Sequence, residues 1–280
     1  MQERRFIQCD VFSPVAGFGN ALAVVLDGSG LDDSQMQRFA AWTNLAETTF
    51  ILPPEDKTAD YRLKIFSPGR EMLFAGHPTL GSCMSWLHSG GEPRNDKVVR
   101  QECGVGIVEI DISNPDMPSF TAPPTKIRPM QAETFGAITD ILEISPRQIL
   151  AHAELDNGPV WQVFQLDSAE SVLKLDATRV RWPEFKALGF IGAQSSSHEC
   201  DYEVRMLAPS SGMSEDPITG SLNSALSHWM MADGRIKDTV VVAQGANINR
   251  KGRVTITPGE NMNASIGGQV HMIIEGSLLL

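Results

Sequence analysis

Tyr61-Arg62-Leu63-Lys64-Ile65-Phe66-Ser67-Pro68 has a near copy later in the chain, Tyr202-Glu203-Val204-Arg205-Met206-Leu207-Ala208-Pro209. Each alternates polar and apolar residues as a half-buried strand does, and each stops at a proline. After a two-residue contraction the match resumes. His77-Pro78-Thr79-Leu80-Gly81-Ser82 lies over Asp216-Pro217-Ile218-Thr219-Gly220-Ser221, and Leu87 over Leu226. Each half therefore reads strand, Ser/Ala-Pro turn, polar residue, proline, one turn, Gly-Ser and amphipathic helix. The repeat predicts two similar domains of ~140 residues, within the usual domain range.

Proline is favoured just inside a helix start, so Asp216 sits where an N-cap belongs and His77 occupies the matching position. Histidine caps poorly, and its place asks for a chemical reason. A duplication of this kind relates equal elements by a pseudo-twofold axis and brings two helix N-termini to one interdomain cleft. Each end offers unpaired N–H groups and roughly half a positive charge. Such a cleft is prepared for a carboxylate or a developing oxyanion.

Around the repeat, Arg5 to Phe12 and Ala21 to Leu26 flank the turn Gly17-Phe18-Gly19-Asn20 as a hairpin. Asp32-Asp33-Ser34 precedes a helical spacing of Met36, Phe39, Ala40 and Trp42. Further strands are read at 48–52, 104–111, 160–166, 189–191, 240–243 and 253–257, with helical stretches at 138–142 and 146–150. Pro115, Pro118, Pro123, Pro124 and Pro129 mark the best linker. Many strands with few helices predict an α+β fold, with domains at 1–120 and 121–265. A last strand, about 266–280, is placed to return to the first domain.

Composition agrees with a globular chain. Of 280 residues 42% are hydrophobic and 20% charged, which excludes wholesale disorder. The net charge of −11 repels phosphate backbones, so nucleic acid is an unsuitable partner. Cys9, Cys83, Cys103 and Cys200 form no CxxC pair and no Cys/His cluster, so no metal is expected. The opening residues lack the apolar run of a signal peptide and no stretch reaches membrane-span length; a cytoplasmic protein without a membrane partner is the expectation.

Glu47 stands among Leu45, Ala46 and Phe50, a setting whose desolvation raises a carboxyl's pKa toward values useful for moving protons. Its alternative is a surface glutamate at a helix–strand junction. Asp216 reads as a helix cap, a role compatible with facing a ligand through its second oxygen. Ser221 reads either as a ligand contact or as a small residue for close packing. Gly81 and Gly220, read as one turn into their helices, each cost ~1 kcal/mol against alanine, which close approach of a ligand or helix would offset. Asn20 has turn chemistry as its plain reading. His88, His152, His198, His228 and His271 form no ligand-like group.

Taken together, Asp10-Val11-Phe12, Gly19-Asn20 with Leu22-Ala23-Val24-Val25, Asn44 to Phe50, Phe74 to Gly81, Glu215 to Ser221 and Gly267-Gly268 with Glu275-Gly276 resemble the phenazine-biosynthesis PhzF-like family, of the diaminopimelate epimerase-like fold. The resemblance implies two domains, each a β-barrel-like sheet wrapped around a central helix, with the active site between them. It also implies a homodimer, no cofactor, and isomerisation by proton transfer on a small carboxylate; the family's type member shifts a proton on 2,3-dihydro-3-hydroxyanthranilate. The acid/base glutamate falls on Glu47, and orienting and relay roles fall on His77, Asp216 and Ser221. Asn20 and backbone donors around Gly76 and Gly220 contact the substrate. Ala21, Asn223 and Arg250-Lys251-Gly252 depart from the family pattern, which leaves the substrate open. The fold's racemases place cysteines where this chain has Ala75 and Thr219, in a register that pairs Gly76 with Gly220. A non-thiol epimerase and a non-catalytic metabolite-binding protein are the alternative functions.

Overall fold

The computed structural model describes residues 1–209 and 213–280, in two units. The first unit is Met1–Thr121 with Gly267–Leu280. It contains β1 (Glu3–Val11), β2 (Asn20–Val25), α1 (Asp33–Thr43), β3 (Glu47–Leu52), β4 (Tyr61–Phe66), β5 (Glu71–Met72), α2 (Gly76–His88), β6 (Val98–Cys103), β7 (Gly106–Asp111) and β8 (Ser119–Thr121). The second unit is Ala122–Ile266. It contains β9 (Lys126–Arg128), α3 (Ala132–Ile141), β10 (Ile149–Asp156), β11 (Val160–Leu166), α4 (Ala169–Leu173), β12 (Leu188–Ala193), β13 (Tyr202–Leu207), β14 (Glu215–Asp216), α5 (Gly220–Ala232), β15 (Val240–Gln244) and β16 (Gly252–Pro258), and β17 (Ala264–Gly267) closes it. The last strand, β18 (Val270–Leu279), belongs to the first unit.

One pairing scheme is used twice. In the first unit β1 lies between β18 and β2, all antiparallel; β2 runs parallel to β3, β3 antiparallel to β4, and β4 parallel to β6, which continues antiparallel to β7 and β8. In the second unit β9, β10 and β11 are antiparallel, β11 is parallel to β12, β12 antiparallel to β13, and β13 parallel to β15, which pairs antiparallel with β16. The two-residue strands β5 and β14 fold back on the ends of β4 and β13. Within the first unit α2 is central, packing against β1, β2, β3, β6, β8 and β18. Its counterpart α5 packs on β10 and β16, with Leu222 set against Gly189 of β12.

The ladders fix the register of the repeat. Glu71 pairs with Phe66 and Glu215 with Leu207, so Glu71 corresponds to Glu215 and Met72 to Asp216. The two helices then start together, at Gly76 and Gly220, and each is 13 residues long. The connection 67–70 is therefore shorter than its counterpart 208–214; of the two registers read from the sequence, the ladders agree with the one that pairs Gly76 with Gly220, and the superposition of His77 on Asp216 is wrong. The two His/Asp-Pro dipeptides look alike because proline is tolerated at both places for different reasons. Pro78 lies in the first turn of α2, where no N–H is needed, whereas Pro217 precedes α5 altogether. The same register superposes a buried ion pair, Arg205–Glu215, on a half-exposed one, Lys64–Glu71.

Local signals explain most other elements. Asp32 caps α1 in a capping box with Gln35, Met36 and Ala40 bury one turn apart, and Asn44 ends the helix at φ 55°. Phe50, Phe66 and Val25 form the core under α1; Phe164, Phe190 and Leu207 form its counterpart beside α3 and α4. Each such side chain contributes about 1.5–3 kcal/mol when fully buried. The helical reading of 146–150 is corrected: Pro146–Gln148 is one 3-10 turn capped by Ser145, and β10 starts at Ile149. The proline-rich stretch holds β8 and β9, whose own residues include no proline.

Gly81 lies mid-helix because α2 presses on β1 and β2. A Cβ there would stand 2.6 Å from Leu22 Cδ2 and 2.9 Å from both Cys9 Sγ and Val11 Cγ2. Gly81→Ala is therefore expected to destabilise by about 1–3 kcal/mol of overpacking, despite alanine's better helix propensity. A denaturant melt in which Gly81→Ala is the more stable protein would contradict this packing.

Candidate active site

In the first unit, Asp10 organises the glycine-rich turn. Its Oδ2 accepts the N–H groups of Gly17 and Gly19, each at 2.8 Å, and Gly17 adopts φ +85°, where a side chain would be strained. The turn delivers Asn20 to the head of β2. Glu47 heads the neighbouring strand, paired with Leu22. Two residues on, Thr49 Oγ1 lies 2.9 Å from Ser82 Oγ and ties β3 to α2. This fixes Glu47 beside the first turn of that helix.

His77 is the second residue of α2 and is buried. Asn20 Nδ2 donates to His77 Nδ1 at 3.3 Å, and His77 Nε2 lies 3.2 Å from Glu47 Oε2. Burial pushes the His77 pKa down to about 3, and the positive end of the helix acts in the same sense. The ring is thus neutral. With Nδ1 accepting from Asn20, its single proton sits on Nε2, close to the Glu47 carboxylate but not aligned with it as a hydrogen bond. The Glu47 side chain retains 14% exposure against 5% for His77, so the carboxylate is the accessible member of the pair.

The helix start beside them has no side-chain cap. Its N-cap is Ala75, not His77. Gly76 and His77 therefore present N–H groups without intrahelical partners, and Pro78 has none to present. The expectation that Asp216 caps α5 is corrected likewise: the N-cap is Thr219, without a side-chain cap bond, and Asp216 lies upstream in β14. Gly220 is the first helical residue and not one turn in; Ser221 is the second, the counterpart of His77.

The second unit holds its own polar group. Thr219 Oγ1 donates to Asp216 Oδ2 in a very short contact. Ser221 is buried, and its carbonyl accepts from Asn157 Nδ2 at 2.9 Å, with Trp161 Nε1 donating to Asn157 Oδ1 at 2.9 Å. Asn223, one of the departures from the family pattern, is fully buried and donates to Thr219 O at 3.0 Å, so it supports the helix start. Of the expected residues, the structure thus gathers Asn20, Glu47, Gly76 and His77 at one helix start and Asp216, Gly220 and Ser221 at the other. Sequence reasoning did not single out Gln244, whose amide meets Thr219 at this helix start, and only the racemase register pointed at Thr219.

The His77 burial has a pH consequence. A base whose folded pKa lies below its free value of 6.5 costs nothing above that pH. Below 6.5 the unfolded chain takes a proton that the folded one refuses. Stability should fall between pH 6.5 and about 3 by about 1.4 kcal/mol per pH unit from this group. Denaturant melts at two pH values in that window check it: His77→Gln should show the shallower dependence, and equal slopes would refute the neutral ring.

Residues 9–276 match the family described as phenazine biosynthesis-like protein, PhzC-PhzF. The chain is 33% identical to a Schizosaccharomyces pombe protein named antisense-enhancing sequence 1, over 99% of each. It is 28% identical to the trans-2,3-dihydro-3-hydroxyanthranilate isomerase of Pseudomonas fluorescens, over 88% of this chain and 87% of that one. The crystal structure of a PhzF-family protein from Bacillus anthracis superposes over 100% of both chains with a TM-score of 0.83 at 20% identity. The fold is accordingly the diaminopimelate epimerase-like α+β fold, and the chain is an enzyme of the isomerase class. It belongs to the phenazine biosynthesis-like family. Among the described residues no helix is long and apolar enough to cross a membrane.

Proposed function

We propose that this isomerase moves a proton on a small carboxylate without a cofactor, with Glu47 as the general acid/base. The observation that carries the reading is the neutral His77, held through Nδ1 by Asn20, with Nε2 3.2 Å from Glu47 Oε2 at an uncapped helix start. Glu47 takes a proton from carbon and returns it to another position of the same conjugated system. The His77 Nε2–H lies beside the carboxylate without a hydrogen bond to it, and a small turn brings it into line with Glu47 or with the substrate as the charge moves. The N–H groups of Gly76 and His77 receive the negative charge that develops on a carboxylate or enolate oxygen. Asp216 relays the second proton, the one that an enol oxygen of the intermediate takes up and gives back, with Gly220 and Ser221 as binding groups. A substrate that delocalises its own carbanion needs no electron sink from a cofactor. The active form in this reading is a homodimer.

Solvent exchange tests it. In D2O the enzyme should place deuterium at the carbon that gains the proton, with trans-2,3-dihydro-3-hydroxyanthranilate as the first compound tried because a relative is named for it. Small conjugated carboxylates follow. Binding with neither isomerised product nor label across such a series, in wild-type protein, would make this a metabolite-binding chain. Label accompanied by inversion of a stereocentre would make it an epimerase.

A further inference from the structure

We propose that Gln244 is a positioning residue for Asp216, acting through the hydroxyl of Thr219; the inference rests on the reading of Asp216 as a proton relay. Gln244 ends β15, is 1% exposed, and its amide is engaged on both sides. Oε1 accepts the backbone N–H of Thr219 at 3.0 Å and Asn223 Nδ2 at 3.2 Å. Nε2 donates to Thr219 Oγ1 at 2.9 Å and to the carbonyl of Asp216 at 3.2 Å.

The backbone N–H of Thr219 can only donate, so it fixes which end of the Gln244 amide is oxygen. The amide nitrogen must then face the Thr219 hydroxyl. A hydroxyl carries one proton. Having accepted from Gln244, Thr219 Oγ1 sends its own proton to its remaining close partner, Asp216 Oδ2. That oxygen is therefore an acceptor, so any proton the carboxyl group carries sits on Oδ1, and Oδ2 is committed to Thr219. The order of donors, Asn223 to Gln244 to Thr219 to Asp216, runs one way and cannot reverse without leaving a buried amide unpaired.

Glu47 has an imidazole as its neighbour. The first unit does contain a buried glutamine on the strand beside its helix, Gln101, but it donates to Thr79 Oγ1 inside α2 and accepts from Tyr61. It acts on the helix body, and its unit has Met72 where the other has Asp216. The clamp belongs to the unit with the aspartate.

The test follows the Thr219 hydroxyl proton by NMR in the ligand-free, full-length protein, so it needs no known substrate. A directed, buried hydroxyl exchanges slowly with water and shows proximity to Asp216. Gln244→Leu should speed that exchange at least tenfold, Thr219→Val should abolish the signal, and Thr219→Ser should retain it. Should Gln244→Leu fail to fold, Gln244→Glu, which keeps the acceptor and loses the donor, decides the same point. An exchange rate unchanged in the folded Gln244 variant would overturn the proposal. The functional arm is separate. With Asp216 as relay, Gln244→Leu and Thr219→Val lower deuterium incorporation by about tenfold with little change in KM, Thr219→Ser restores it, and the double variant is no worse than either single one. Full incorporation by Asp216→Asn would remove the relay while leaving the hydroxyl result standing.

Discussion

Glu47→Gln lowers turnover by about 10²–10⁴-fold and leaves substrate affinity within a few-fold of wild type. The amide keeps the size of the carboxylate and leaves in place the neighbouring contacts of His77 with Asn20 and of Thr49 with Ser82. What it lacks is a basic oxygen. His77→Gln should do less harm, because in the neutral state burial enforces, the imidazole orients and donates but does not carry the abstracted proton. Paired measurements of label uptake and of binding by calorimetry separate these roles. A Glu47→Gln protein with wild-type label uptake would end the acid/base assignment, and one that no longer binds would give Glu47 a holding role instead.

Arg205→Met destabilises the protein by about 3–5 kcal/mol, whereas Lys64→Met, its counterpart in the repeat, costs about 1 kcal/mol or less. Arg205 and Glu215 have 2% and 1% side-chain exposure. The guanidinium gives Nε and Nη2 to Glu215 Oε2 at 3.0 and 2.6 Å, and Nη1 to the carbonyls of Val172 and Leu175 at 3.1 and 2.6 Å. Removing it strands a buried carboxylate and two carbonyls at once. Lys64 instead reaches Asp33 and Glu71, whose side chains are 66% and 41% exposed, so water replaces the lost partner. Arg205→Met combined with Glu215→Leu should recover most of the loss, since it removes both charges. Denaturant unfolding of the four proteins is the check, and equal losses from Arg205→Met and Lys64→Met would show that the buried pair is not isolated from solvent.

The strands of the repeat were legible to the residue: Tyr61–Phe66 and Tyr202–Leu207 begin and end where alternation and the following proline place them. The α1 start was legible too, because Asp32 and Gln35 form a cap that depends on adjacent residues alone. The register between the halves was legible only through the likeness to the racemases, not from the repeat itself. It is set by which residues of β5 and β14 close on β4 and β13, a pairing across turns of unequal length, and two similar dipeptides pointed the other way. β10 was hidden behind Pro146, whose single turn imitates the start of a helix. At the site, His77 and Glu47 were singled out by their local settings, resemblance gave them and Asn20 their roles, and three different elements that no local pattern connects bring them together. Gln244 carried no signal at all, since an amide at the end of a strand has meaning only when its partners arrive from elsewhere in the chain.

The closing strand β18 sets an order of events during synthesis. β9, the partner of β10, opens its own unit, so everything from β9 to β16 leaves the ribosome as one uninterrupted stretch. β1 has no such neighbour at hand: one of its two flanks stays open until Val270–Leu279 has been translated. The unit encoded first is thus the one finished last, and until then a nascent chain carries an unpaired strand edge of the kind that invites association with other chains.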